Sequence, residues 1–301
     1  MIELTDSKTN IQPEPLTKAF FKDYFMLSKV RLSTSVVGTT LIAYYLGVHM
    51  NHLPGDWLKF FGLTLGGMLV VAASNGFNQV YEKDSDKLMS RTQNRPVADG
   101  RMSVNDALVF SAVCAVLGLL VLAMLVNGRA AFLSLVSLFI YTLAYTPLKK
   151  KSPIAVFVGA IPGALPPAIG WVAAVGNIDD IAMILFLIQF FWQFPHFWAI
   201  AWMLEDDYRK AGYTLLPNYE GRTKRNAIQI VMYTVMLVLV SMYPISMDFG
   251  SAKSLIVILP AGLYMLYRAY LLHKDLEVKN ARALMFASLI YMPAVLLSYL
   301  L

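Results

Sequence analysis

The sequence predicts an all-α membrane protein, a polytopic bundle of about nine transmembrane helices with an active-site cavity on the cytoplasmic side. Three observations carry this. Of 301 residues, 57% are hydrophobic and only 15% charged, with mean hydropathy +0.57, whereas soluble domains carry about 25% charge. Nine apolar stretches each approach the roughly 20 helical residues that a hydrocarbon core about 30 Å thick demands. The connectors between them alternate between basic and nearly free of Lys and Arg. In lipid every backbone N–H and C=O must be satisfied within its own segment, so the spans are helices.

Residues 1–32 read as a cytoplasmic N-terminal segment ahead of one transmembrane domain, 33–301. Glu3, Asp6, Pro13 and Glu14 without an apolar run exclude a signal peptide or an acid-poor transit peptide there. The spans fall at about 33–50, 57–80, 106–126, 129–146, 154–175, 181–203, 226–247, 254–272 and 283–301. Connectors 51–56, 127–128, 176–180 and 248–253 are poor in Lys and Arg; 81–105, 147–153, 204–225 and 273–282 are basic. On the N-terminal side lie 22 of the 25 Lys and Arg residues, leaving Lys59, Arg129 and Lys253 opposite. The positive-inside rule then puts the N-terminus in the cytoplasm and the C-terminus outside, which needs an odd number of crossings. A bacterial cytoplasmic (inner) membrane is the simplest location. Gly159 and Gly163, four apart before Pro166 and Pro167, read as a close helix contact or a bend. The single Cys114 excludes a disulfide framework and a cysteine-built metal centre. The net charge of +6 follows the topology and does not call for nucleic acid.

The chemistry concentrates at the cytoplasmic edge of the second span. If that helix continues, Asn78, Glu82 and Asp86 stand four apart and line one face over roughly 12 Å. Like charges at this spacing repel unless a cation sits between them. Carboxylates and an amide without His or Cys suit magnesium, which is usually held by one or two carboxylates together with substrate phosphates. Asn75 lies one turn earlier, still inside the apolar span, where polar side chains usually face a cavity. Arg91 and Arg95 follow, with guanidinium forks that match phosphate oxygens. They also serve the positive-inside asymmetry. A second cluster ends the sixth span: Trp192, His196, Trp198, Trp202, then Asp206 and Asp207. Its aromatics suit an interfacial belt or a flat ligand, and His196 suits a haem contact. Between the clusters, Tyr145 and Lys149 place a phenol and an amine four residues apart.

These residues resemble the membrane prenyltransferase superfamily that includes 4-hydroxybenzoate polyprenyltransferase. Asn78-x-x-x-Glu82-x-x-x-Asp86 followed by Arg91-Thr92-Gln93-Asn94-Arg95-Pro96 is similar to its N-x-x-x-D-x-x-x-D and R-T-x-N-R-P elements, with Glu82 in place of the usual Asp. The block from Trp192 to Trp202 with Asp206-Asp207-Tyr208 resembles the haem O synthase branch, although the superfamily's second D-x-x-x-D is not intact. The likeness runs from Lys29-Val30-Arg31, where Val30 stands for an expected Pro, to the ninth span.

The resemblance implies transfer of a farnesyl group from farnesyl diphosphate to a vinyl group of haem B. Mg2+ would sit at Asn78, Glu82 and Asp86 with Asp206 and Asp207. Arg91, Arg95 and Lys149 would clamp the diphosphate, with Tyr145 hydrogen-bonded to it. It implies His196, Trp198, Trp202 and Asn75 as substrate contacts. The bilayer and proteins of haem or terminal-oxidase assembly would be partners. Two competitors share parts of the pattern. An aromatic-acceptor prenyltransferase of quinone synthesis needs the first motif but not His196; a transporter would place charges near mid-bilayer.

Overall fold

The computed structural model describes residues 16–301, so the readings that rest on Glu3, Asp6, Lys8, Pro13 and Glu14 lie outside the described residues. Helix α1, Leu16–Ser28, precedes the bundle. Then come α2 (Val30–Met50), α3 (Trp57–Asp86), α4 (Val104–Leu125), α5 (Gly128–Leu148), α6 (Ala155–Val175), α7 (Asp180–Met203), α8 (Lys224–Met247), α9 (Ala252–Asp275) and α10 (Val278–Ser298). No strand occurs among the described residues. The eight helices α3 to α10 are long and apolar enough to cross a membrane. At 21 residues, α2 has the length as well; its Ser and Thr residues and Arg31 dilute its apolarity.

Most starts have a side-chain cap that satisfies an orphan N–H of the first turn. Asp56 accepts from Lys59 N, Ser103 from Asp106 N, Asn127 from Ala130 N, Asp179 from Ala182 N and Thr223 from Asn226 N. Two boundaries differ from expectation. The second span was expected to end near 80, but α3 continues as helix to Asp86. The last was expected from 283, and α10 begins at Val278. Both extensions are polar helix ends, which apolarity alone does not register.

Within the N-terminal segment, residues 16–28 are helical. Leu27 is fully buried while Phe25 is largely exposed, and Gln79 Nε2 donates to the Leu27 carbonyl at 2.9 Å. A helix with one face held by the bundle and aromatic residues on the other suits the membrane interface.

In the bundle α3 packs chiefly along α4, and α2 along α6. The α2–α6 approach is close because Gly170 has no side chain: a Cβ there would lie 1.9 Å from the Thr40 carbonyl oxygen. Val109, Val113, Val116 and Leu120 of α4 point outward, as a lipid-facing stripe should. Within α5, residues Ile140–Tyr145 adopt a π-helical turn. Such turns re-aim side chains and recur at functional sites; this one leads into Tyr145 and Lys149.

Candidate active site

Because α3 runs on as helix, Asn75, Asn78, Glu82 and Asp86 share one face, and all four are buried. Uncompensated charge at such depth would be costly, and here it is compensated. Arg95 Nη1 lies 2.8 and 2.7 Å from the two Asp86 oxygens and 3.9 Å from Glu82 Oε2. Lys149 Nζ lies 2.9 Å from Glu82 Oε1 and 4.5 Å above the Tyr145 ring. Burial pulls the Lys149 ammonium down, but Glu82 foremost, with Tyr145 and Tyr141, holds it well above the ordinary lysine value. Asn78 Nδ2 donates to Thr146 Oγ1 at 3.3 Å. The turn that carries Thr92 is tied to the helix end, since its hydroxyl donates to the Asp86 carbonyl at 2.9 Å.

A further cation joins from the chain's first turn. Lys29 stands between α1 and α2 at φ 46°, ψ 53°, a left-handed conformation that a residue with a Cβ adopts only at a cost. That kink lets its Nζ reach Asn78 Oδ1 at 3.5 Å. Burial, then Arg95 and Lys149, draw its ammonium down to about 7. Asn75 Nδ2 braces the same turn by donating to the Ser28 carbonyl at 3.2 Å. The residue numbers alone hide this contact: Lys29 is 49 positions from Asn78, and the sequence reads it as positive-inside charge and as the start of the family likeness, with no role at the site. Tyr213, from the connector after α7, is also buried beside the acids; burial foremost and then Glu82 push its phenol up to about 12.

Other expected residues are placed differently. Arg91 is exposed, and its backbone N–H donates to Asp207 Oδ2 at 3.4 Å; among the described residues its guanidinium makes no ion pair. Asp207 also accepts from the Ser90 hydroxyl at 2.8 Å, tying the two cytoplasmic connectors together. Asp206 is exposed and pairs with Arg222 at 3.0 Å. Thus Asp207 caps the turn at Ser90 and Arg91 and Asp206 faces outward, and among the described residues neither joins Glu82 and Asp86 in an acidic cluster. Among the described residues no three or more His, Cys, Asp or Glu side chains form a metal cage. Trp198 and Trp202 have no exposed surface. With Phe194 they recur every four residues and form the inward stripe of α7, so they build the core where the sequence suggested a ligand platform. Trp202 Nε1 donates to the Leu276 carbonyl at 3.3 Å. Trp192 and His196 lie on another face and stack at 4.6 Å with 14° between planes.

Next to the charged ring is an apolar cavity of about 130 Å³. Val36 and Val37 of α2, Leu63 and Val70 of α3, Leu122 of α4 and Ile169 of α6 line it, and Ser74, Asn75 and Tyr141 form its polar end. Leu63 and Asn75 are twelve residues apart on α3, about 18 Å along the axis. Asn75 lines this apolar hollow and stands one turn before Asn78 on the face that carries the buried acids.

The UbiA prenyltransferase family model matches residues 36–290. Protoheme IX farnesyltransferase of Flavobacterium psychrophilum is 43% identical over 294 residues, covering 95% of this chain and 96% of that protein. Among solved structures, digeranylgeranylglyceryl phosphate synthase superposes with TM-score 0.76 at 23% identity, covering 93% and 96% of the two chains. A UbiA homologue from Archaeoglobus fulgidus bound to DMAPP and Mg2+ gives TM-score 0.65 at 19% identity, covering 91% and 99%. A family model spanning most of the chain and a relative at this identity over nearly all of it establish that the chain belongs to the UbiA prenyltransferase family.

Proposed function

We propose that the protein transfers a farnesyl group from farnesyl diphosphate to a vinyl group of haem B, giving haem O and diphosphate. The observation that carries this reading is the pairing of Glu82 and Asp86 with Lys149 and Arg95 on the same face of α3 whose Asn75 lines an apolar cavity. Such an arrangement suits a substrate with a highly charged head and a hydrocarbon tail. The Flavobacterium relative named for this activity supports farnesyl as the donor and haem as the acceptor.

In the reaction the bond between C1 of the farnesyl chain and its bridging oxygen breaks, and diphosphate leaves with the electron pair. The terminal vinyl carbon of haem bonds to C1; water adds to the resulting cation and releases a proton, completing a hydroxyethylfarnesyl side chain. Charge on the leaving group is the main electrostatic demand in a site of low dielectric. Lys149, Arg95 and Lys29 meet it as cations already gathered around Asn78 and the two acids. Tyr145 holds the Lys149 ammonium against its ring, and Tyr141, at the cavity's polar end, faces the region where an allylic cation would form. Asn78, Glu82 and Asp86, an amide and two buried carboxylates, are the residues that would hold magnesium through oxygen. Bound there, the ion supplies neutralisation of the departing charge. Arg91 stays at the exposed rim, and Asp206 and Asp207 secure the connectors over the site.

His196 is the haem contact in this account. Farnesyl diphosphate and haem reach the site laterally from lipid in the inner membrane, the diphosphate head lying at the cytoplasmic face. The product passes to downstream haem or terminal-oxidase assembly proteins. The test offers purified protein farnesyl diphosphate and Mg2+ with equal haem B and 4-hydroxybenzoate, and identifies the products by mass. Farnesylated haem with unreacted 4-hydroxybenzoate is expected; a prenylated benzoate would overturn the acceptor, and no prenylated product would overturn the activity.

A further inference from the structure

The pairing of His196 with Ser288 settles which imidazole nitrogen carries the proton. Ser288 Oγ lies 2.6 Å from the Met285 carbonyl oxygen and 2.7 Å from His196 Nδ1. A hydroxyl has one proton and two lone pairs, and a carbonyl can only accept. The Ser288 proton is therefore committed to Met285. The proton between Ser288 and His196 must come from Nδ1, and a neutral imidazole protonated there keeps its lone pair on Nε2. Among the described residues the one side-chain hydrogen bond to the ring is that of Ser288 at Nδ1.

The ring is also held in orientation. Trp192 stacks beneath it at 4.6 Å, and Trp192 Nε1 donates to the carbonyl of the same Ser288 at 2.6 Å. Ser288 has no exposed surface, so one buried residue of α10 receives hydrogen bonds from both partners on α7. Two helices are thus pinned where an imidazole presents a free electron pair. Helix packing alone would require one such bond and no particular tautomer.

We propose that Ser288 is a positioning residue for haem recognition, holding His196 as the Nδ1–H tautomer so that Nε2 is presented to the porphyrin iron. Groups that fix the far nitrogen of a ligating histidine orient the ring and raise its basicity, and their loss typically weakens the bound metal tenfold to a hundredfold. The inference rests on the haem reading and on His196 as the contact.

The experiment titrates the detergent-purified full chain with haem B and records affinity and visible spectrum for wild type and four variants. His196→Ala should shift the haem bands and weaken binding. Ser288→Ala should shift the bands and weaken binding about tenfold or more, with Ser288→Thr, which restores the hydroxyl, returning towards wild type. Adding Ser288→Ala to His196→Ala should cost nothing further, because Ser288 acts through His196. This double variant separates positioning from a general packing defect. Wild-type affinity and spectrum in Ser288→Ala would overturn the proposal, as would an equal loss in both backgrounds. An unshifted spectrum in His196→Ala would overturn iron contact while leaving the transferase reading intact. Failure of the wild type to bind haem would overturn that reading and the proposal together.

Discussion

Asp86 is where charge is most deeply committed, since it is fully buried and both its oxygens lie on the Arg95 guanidinium. Asp86→Asn keeps its size and removes its charge. Turnover should fall by about a hundredfold, the usual cost of removing a preorganised electrostatic group, with helix content by circular dichroism unchanged; near-normal turnover would remove Asp86 from the site. The two arginines should separate in kinetics. Arg95→Lys replaces a guanidinium whose Nη1 reaches both Asp86 oxygens and should raise KM for farnesyl diphosphate, whereas Arg91→Lys, at an exposed position, should change it little. The residues on α3 were legible in the sequence because acids and amides three and four apart have one geometric meaning on a helix. Lys29 was not, because its reach depends on a single left-handed residue between two helices. That Trp198 and Trp202 lie in the buried stripe of α7 was not legible, because composition does not tell which stripe of an aromatic helix turns inward.

At the scale of the element, apolar length sufficed to place the spans but not their polar ends. The continuation of α3 to Asp86 is what makes the acidic face a face. The π-helical turn of α5 had no sequence signal, although Tyr145 and Lys149 at its end did. Gly159 and Gly163 were read as packing glycines, and the structure adds partners: a Cβ at Gly159 would strike the Tyr145 ring at 2.6 Å, and one at Gly163 the Gln193 amide at 2.1 Å. The tightest contact with backbone belongs to Gly170. Gly170→Ala must push α6 away from the Thr40 carbonyl, and such overpacking costs about 1–3 kcal/mol. Thermal unfolding in detergent should show a lower Tm for Gly170→Ala than for Gly38→Ala, where a Cβ meets nothing within 4 Å. Equal Tm values would mean that α2 and α6 are not so closely apposed.

Across the whole molecule, the distribution of charge predicts topology. The ends of α3, α5 and α7 that carry the site face the side where 22 of the 25 Lys and Arg residues fall. A phosphatase reporter fused after Leu301 should be active outside the cytoplasm and one placed in connector 204–223 inactive; the reverse pattern would invert the site's orientation. The all-helical bundle was legible because lipid leaves one backbone solution to each apolar segment. The joining of Lys29, Glu82, Arg95 and Lys149 was not, since it requires α1, α3, α5 and the loop after α3 to meet. Groups that meet in this way should grip a diphosphate together, and equilibrium binding of pyrophosphate with Mg2+ to the purified chain, followed calorimetrically, reads that grip. Wild type should bind, and Lys149→Met and a Glu82→Gln, Asp86→Asn double variant should each lose at least tenfold in affinity. Affinities equal to wild type in both variants would contradict a shared grip on the diphosphate.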